Sequence, residues 1–240
     1  MPLNWKINRL GRVVSTQEIA RDHALTGAPS GLVIVAEAQT DGRGRHGLRW
    51  HSSMGGLYLT VVLRSIVNVH LLPFPAGVAV AEAIEAFAGI EAELKWPNDI
   101  LVGGKKIGGI IAESGWSGGE PKFTLLGIGV NANNPLPEDL PEATTLAREI
   151  GAELDLEPLL QTLLGRLGHH LQRLEADPSK MLESWRRKAR TLGRRVEVMD
   201  ASGEIVKGLA VDVDPEGALI LETEGGLRRI LSGSLGGRYS

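Results

Sequence analysis

The ten residues Asp41 to Trp50, DGRGRHGLRW, constrain the fold of this chain more than any other segment. Their spacing, Gly42-x-Gly44-x-x-Gly47, fits the phosphate-binding turn of a doubly wound dinucleotide fold. That turn requires a strand before it, a helix opening at it and an acid about 20 residues further on. A strand is available, because Leu32 to Ala36 is a short apolar run. No helix follows: Trp50 to Gly56 is polar and glycine-bearing, and Leu57 to Leu63 (LYLTVVL) reads as a second strand. The stretch Thr60 to Val67, where the ribose-binding acid belongs, contains no acid. The segment is therefore a loop between two strands, and a nicotinamide oxidoreductase reading fails on context.

The loop carries Arg43, Arg45 and Arg49, whose guanidinium groups are planar forks of donors that stay charged at any working pH. Flanking glycines free the backbone to fold those forks over a carboxylate or phosphate. The same composition also suits a surface loop of solvated arginines, and the loop alone does not decide between the two. Net charge is −3, so positive charge is local and bulk affinity for nucleic acid is not expected. With no cysteine, disulfides, thiolate nucleophiles and cysteine-ligated zinc are excluded. The six histidines show no spacing suited to a zinc site. Residues 1–14 lack a signal-like apolar core and no stretch is read as a bilayer span, so a cytoplasmic protein without membrane partners is expected.

Ser15 with Glu18 forms a capping box for a helix reaching about Thr26. Gly31 to Gln39 and Leu57 to Leu63 are read as antiparallel neighbours, followed by a helix over Pro75 to Ala88. Four strands come next: Glu93 to Trp96, Ile100 to Val102, Lys106 to Ser114 and Phe123 to Asn131. A leucine stripe marks a helix over Glu157 to Ala176. His170 within that stripe reads as a core histidine with one satisfied nitrogen. A basic-faced helix follows Pro178 and ends near Gly193. Four or five short strands then fill the tail and imply a small β-barrel. The expected class is α+β, a mixed or antiparallel central sheet flanked by helices, with domains 1–191 and 192–240.

Four further segments bear chemistry. In Lys95-Trp96-Pro97-Asn98-Asp99 the proline holds Trp96 extended and sets Lys95 at a strand end before a turn. There Lys95 either meets a phosphate or is an ordinary surface lysine. After Lys106, Gly108 and Gly109 suit close passage of a ligand or a bulge. Gly127-Ile128-Gly129-Val130-Asn131 repeats that pattern, and Asn131 either touches a ligand or starts a loop. The fourth is Ser15-Thr16-Gln17 at the first helix.

Read in order, Ser15-Thr16-Gln17, the Gly42–Gly47 loop, Lys95–Asp99, Lys106–Ile110 and Gly127–Asn131 resemble the biotin–protein ligases over essentially the whole chain. The resemblance implies a class II synthetase-like catalytic domain and an SH3-like C-terminal domain. It implies activation of biotin with ATP to biotinoyl-5′-AMP and transfer to a lysine of the biotin carboxyl carrier domain of a carboxylase. Arg43, Arg45 and Lys95 are the implied catalytic cations. Biotin is expected at Ser15, Thr16, Gln17, Gln39, Gly42, Arg43, Gly44, Arg45, Lys95 and Gly109, and ATP at Arg45, Trp50, Lys95, Asn98, Lys106 and Asn131. Mg²⁺ would accompany the triphosphate without dedicated metal ligands. A homodimer is also implied.

This chain departs from the family pattern in three places. Gln17 replaces the usual asparagine, which shifts its expected contact with the ureido carbonyl. His46 stands where a third basic residue is common. Ser232-Gly233-Ser234 replaces a C-terminal Gly-Glu pattern. Because Ser15 lies so near the start, no helix-turn-helix domain and no operator binding are expected. A lipoate–protein ligase and a non-catalytic biotin or nucleotide sensor are the alternatives. Ser15, Thr16 and Gln39 beside the basic loop favour biotin over lipoate, and the presence of Lys95 with Arg43 and Arg45 favours an enzyme over a sensor.

Overall fold

All seven residues of Leu57–Leu63 are buried, as only a strand covered on both faces permits. In the computed structural model, which describes residues 3–64, 68–117 and 120–236, this strand is β3 of a seven-stranded sheet. The others are β1 (Lys6–Val13), β2 (Leu32–Gln39), β4 (Glu93–Lys95), β5 (Asp99–Val102), β6 (Lys105–Ser117) and β7 (Glu120–Val130), in the order β1-β2-β3-β7-β6-β5-β4. Among the described strands of this sheet, only β1 and β2 pair in parallel. The outermost residues of the two expected domains, 1–2 and 237–240, lie outside the described range.

Alternation along β7 sends Leu126, Ile128 and Val130 into the main core, shared with the helices α2 (Pro73–Ala88), α4 (Leu156–Ala176) and α5 (Pro178–Arg186). Its odd positions face the opposite side, where α1 (Thr16–Leu25) packs Ala20 and Ala24 on Ile34, Val62 and Leu125. Ser15 caps α1, but without the reciprocal box: its Oγ accepts the Gln17 N–H at 3.2 Å, and the Glu18 carboxylate pairs with Arg43 instead. In α4 the leucine stripe is buried, and so is His170. Its Nε2 lies 2.9 Å from Glu82 Oε2, while Nδ1 has no partner among the described residues.

Several elements differ from the sequence reading. β1 (KINRLGRV) alternates too irregularly to declare itself; it is an edge strand held by β2. A short α3 (Leu146–Ile150) lies in what reads as loop, α2 starts at Pro73, and α5 stops at Arg186. Contrary to expectation, Val69–Ala88 is long and apolar enough to cross a bilayer, with mean hydropathy 1.5. Of that window 67% is buried inside the protein, as befits a core helix.

The chain leaves α5 along β4, where Leu94 N donates to Lys188 O and Arg190 N to Leu94 O, both at 2.8 Å. It then forms β8 (Arg195–Asp200), β9 (Ile205–Val213), β10 (Leu219–Thr223), β11 (Gly226–Ile230) and β12 (Gly233–Gly236). These make an antiparallel sheet in the order β11-β10-β9-β8-β12, and its apolar face joins the main core. Trp96 is the joint between the two sheets. Its ring is 1% exposed, its Nε1 donates to Gly217 O at 3.0 Å, and its N–H is bound by Thr191 Oγ1 at 2.9 Å. Gly217 has φ +87°, and a Cβ there would lie 2.8 Å from Phe74. Only glycine meets both demands at that turn.

Trp96→Phe keeps an aromatic ring but leaves Gly217 O without its donor. A loss of about 1–3 kcal/mol is expected, read in urea denaturation as a lower midpoint at unchanged slope. A second prediction concerns pH. Burial lowers the His170 pKa, with Glu82 acting in the opposite direction. The unfolded chain therefore takes up the proton first. Stability is complete above the ordinary imidazole value of about 6.5 and falls as pH drops through the lower native value. His170→Leu should flatten stability against pH in that window, measured by urea denaturation at a series of pH values.

Candidate active site

The Asp41–Trp50 loop leaves the end of β2 and returns to it. Gly44 N donates to Leu48 O at 2.7 Å, Trp50 N to Gly42 O at 2.8 Å, and Gln39 N to Ser52 O at 2.9 Å. A Cβ on Gly42 would fall 2.4 Å from Trp50 O and 2.5 Å from Ser52 Oγ, so the two limbs touch only because this residue is glycine. His46 sits in the left-handed region at φ 54°, ψ 32°.

Under the loop lies a cavity of about 270 Å³ on the α1 side of the sheet. Its floor is Gly109, Ile111, Gly127 and Gly129, the inward positions of β6 and β7. One end is polar and uncharged. Thr60 Oγ1 donates to Thr16 Oγ1 at 2.9 Å, and Gln39 Oε1 accepts both Thr16 N at 2.8 Å and Thr16 Oγ1 at 3.1 Å. Gln39 Nε2 donates to Ser52 Oγ at 2.8 Å, which leaves one of its N–H groups for an occupant. The single amide orientation of Gln39 follows from this chain of bonds.

The other end is cationic. Arg45 Nη1 donates to Asn98 Oδ1 at 3.1 Å and Gly233 O at 3.2 Å, and Nη2 to Ser232 Oγ at 3.4 Å. Asn98 is held in turn by its Nδ2 bond to Ile110 O at 2.8 Å. Lys95, at the end of β4, sends its Nζ to Leu235 O at 3.5 Å. Burial lowers the pKa of both cations, and the Asp99 carboxylate opposes it in each case. Asp99 itself pairs with Lys106 at 2.6 Å. Arg43 lines the cavity while its guanidinium pairs with Glu18 on α1.

Trp50 lies flat on the glycines. A Cβ would come within 3.0 Å of its ring at Gly109 and 2.5 Å at Gly129, and Lys106 Nζ stands 5.4 Å from the ring centroid. The open space over these two glycines is thus filled by an indole of the chain itself. Its buried Nε1 has no partner among the described residues. Beyond Trp50 a second cavity, of about 320 Å³, is lined by Arg49, His51, Lys106, Asn131 and Leu136.

Of the residues singled out from sequence, Thr16, Gln17, Gln39, Arg43, Gly44, Arg45, Trp50, Lys95, Asn98, Lys106 and Gly109 all meet at the first cavity. Asn131 lines the second, and its side chain is engaged by Asn134 at 3.3 Å. Ser15 and Gly42 line neither: one caps α1, the other closes the loop. Thr60, Ser234 and Leu235 were missed. Thr60 carried a signal, as the one polar side chain at the centre of an apolar strand apart from its tyrosine. Ser234 carried one too, inside the Ser232–Ser234 departure from the family pattern, whereas Leu235 carried none. Among the described residues, no three His, Cys, Asp or Glu side chains gather where they could hold a metal ion. Such a cavity suits an elongated molecule with a neutral hydrogen-bonding head and an anionic tail.

Residues 10–131 match the biotin/lipoate A/B protein ligase family, and residues 191–234 match the biotin protein ligase C terminal domain. A biotin–[acetyl-CoA-carboxylase] ligase of Mycobacterium tuberculosis is 34% identical over 92% of this chain and 85% of its own length. The bifunctional ligase/repressor BirA of Bacillus spizizenii is 34% identical over 93% of this chain and 71% of its own. Among solved structures, biotin protein ligase from Aquifex aeolicus in complex with biotin and ATP superposes with a TM-score of 0.86 at 32% identity, covering 98% of this chain and 99% of that one. With half of the chain matched by the ligase model, the C-terminal domain matched separately and the fold superposing end to end, this chain belongs to the biotin/lipoate A/B protein ligase family as a biotin protein ligase.

Proposed function

We propose that the first cavity is where biotin reacts with ATP to give biotinoyl-5′-AMP, and from which biotin passes to a lysine of a biotin carboxyl carrier domain. The observation that carries this reading is the polarity of the cavity: a neutral hydrogen-bonding end and a desolvated cationic end share one floor. Biotin has the matching shape, a cyclic urea at one end and a carboxylate at the other.

In the first step a carboxylate oxygen attacks the α-phosphorus of ATP, an acyl phosphate bond forms and pyrophosphate leaves. The two reactants are anions that repel each other in water. Lys95 and Arg45 lower that repulsion, and more effectively for being withdrawn from solvent. Asn98 and the β12 carbonyls orient the Arg45 fork. Arg43 reaches the anion by giving up Glu18. In the second step the lysine amine attacks the acyl carbonyl, an amide forms and AMP leaves. Lys106 and Asn131, both lining the second cavity, support a place there for the nucleotide, with Trp50 in its wall. Mg²⁺ would accompany the triphosphate, held by phosphate and water, and would offset the charge of the leaving pyrophosphate; among the described residues no three acidic or imidazole side chains gather to bind it. The division at residue 191/192 assigns the β12 contacts to the C-terminal domain.

Incubation with ATP, Mg²⁺, biotin or lipoate and the matching carrier domain, read by intact mass of the carrier, tests the activity. A biotinyl adduct is expected; a lipoyl adduct alone would favour the lipoate reading. Lys95→Ala should lower biotin-dependent ATP–pyrophosphate exchange by about a hundredfold or more with unchanged urea denaturation. Exchange at the unmodified rate would remove Lys95 from the chemistry.

A further inference from the structure

Gln17 is 3% exposed and belongs to the neutral end of the cavity. Its Nε2 donates to Glu113 Oε2 at 3.3 Å, and the same carboxylate oxygen accepts Arg21 Nη2 at 2.8 Å. A carboxylate only accepts, and Arg21 only donates. The nitrogen of the Gln17 amide therefore turns toward Glu113 and its oxygen turns away, toward Gly127 on the cavity floor. A Cβ on Gly127 would lie 3.2 Å from that oxygen and 2.7 Å from the Ile111 side chain, so glycine is what leaves the amide its space. Gln17 Oε1 is buried and has no hydrogen-bond donor among the described residues. A buried carbonyl oxygen without a donor is costly, and an N–H or O–H brought against it relieves that cost.

We infer that Arg21 and Glu113 are positioning residues that fix the polarity of the Gln17 amide, so that its oxygen accepts a ring N–H of the bound acid. This deepens the proposed function and rests on it. It reverses the contact expected from sequence, in which Gln17 met the ureido carbonyl: two acceptors would then face each other. The carbonyl is left to donors such as the spare N–H of Gln39. The arrangement selects a cyclic urea over a dithiolane, which offers no N–H. Arg21 and Glu113 do not line the cavity and act only through Gln17.

The test is steady-state ATP–pyrophosphate exchange with biotin as the varied substrate. Glu113→Gln lets the amide of Gln17 turn over, because the new side chain can donate as well as accept. The KM for biotin should rise about tenfold, with kcat and the KM for ATP unchanged, as loss of one buried hydrogen bond implies. Arg21→Met, on the solvent side of α1, should give the same split at about threefold. It carries the test if Glu113→Gln denatures at lower urea. Gln17→Leu should raise the biotin KM, and adding Glu113→Gln to it should raise it no further, since both remove the same contact. The inference is overturned if the folded Glu113 or Arg21 variant keeps the unmodified KM for biotin, if kcat falls in parallel, or if the Gln17 and Glu113 effects multiply. Absence of biotin-dependent exchange in the unmodified protein would instead overturn the ligase reading itself.

Discussion

The burial of Trp96 between two sheets is the contact on which the site geometry depends. Its indole N–H satisfies Gly217 O in the turn between β9 and β10, and its backbone N–H is satisfied by Thr191, which precedes β8. Lys95 precedes it directly, and Asn98, which holds Arg45, follows two residues later. A rigid residue between two functional ones transmits its fixity to both, because the intervening backbone has few soft dihedrals left. The same sheet supplies β12, whose carbonyls meet Arg45 and Lys95. The C-terminal strands thereby belong to the site as well as to the fold.

Around that anchor the cavity separates two kinds of chemistry that water would mix. At the α1 end Thr60, Thr16, Gln39 and Ser52 join neutral groups in series and the Glu113 carboxylate holds the Gln17 amide, so amide orientation is the information stored there. At the β4 end Arg45 and Lys95 are withdrawn from solvent, in contact with neutral acceptors and in the field of the Asp99 carboxylate. Between the ends, β6 and β7 offer glycine at inward positions. Gly109 and Gly129 accommodate the indole of Trp50, and Gly127 accommodates the amide of Gln17. Three glycines at alternate positions on neighbouring strands thus serve side chains of the chain itself.

Much of the fold was legible wherever local physics agreed with tertiary demand. The leucine stripe of α4, the capping serine of α1 and the apolar run of β3 each appear where expected. His170 too is the core histidine that its place in the stripe suggested. β1 was not legible, because an edge strand with one partner needs no alternation. The helical Leu146–Ile150 was not legible either: five residues give too short a window for a period of 3.6.

From residue types and order alone came the family, the two-sheet organisation and the cationic character of the loop and of Lys95. These depend on composition within short windows, where spacing restricts the chemistry directly. Tertiary structure alone decided that Thr60 joins Thr16 and Gln39, that Trp50 covers Gly109 and Gly129, and that Ser234 and Leu235 reach the cavity from far along the chain. It also decided which way the Gln17 amide turns, since that depends on a carboxylate 96 positions away. Hydrogen-bond direction is a property of pairs, and no single position in a sequence records its partner.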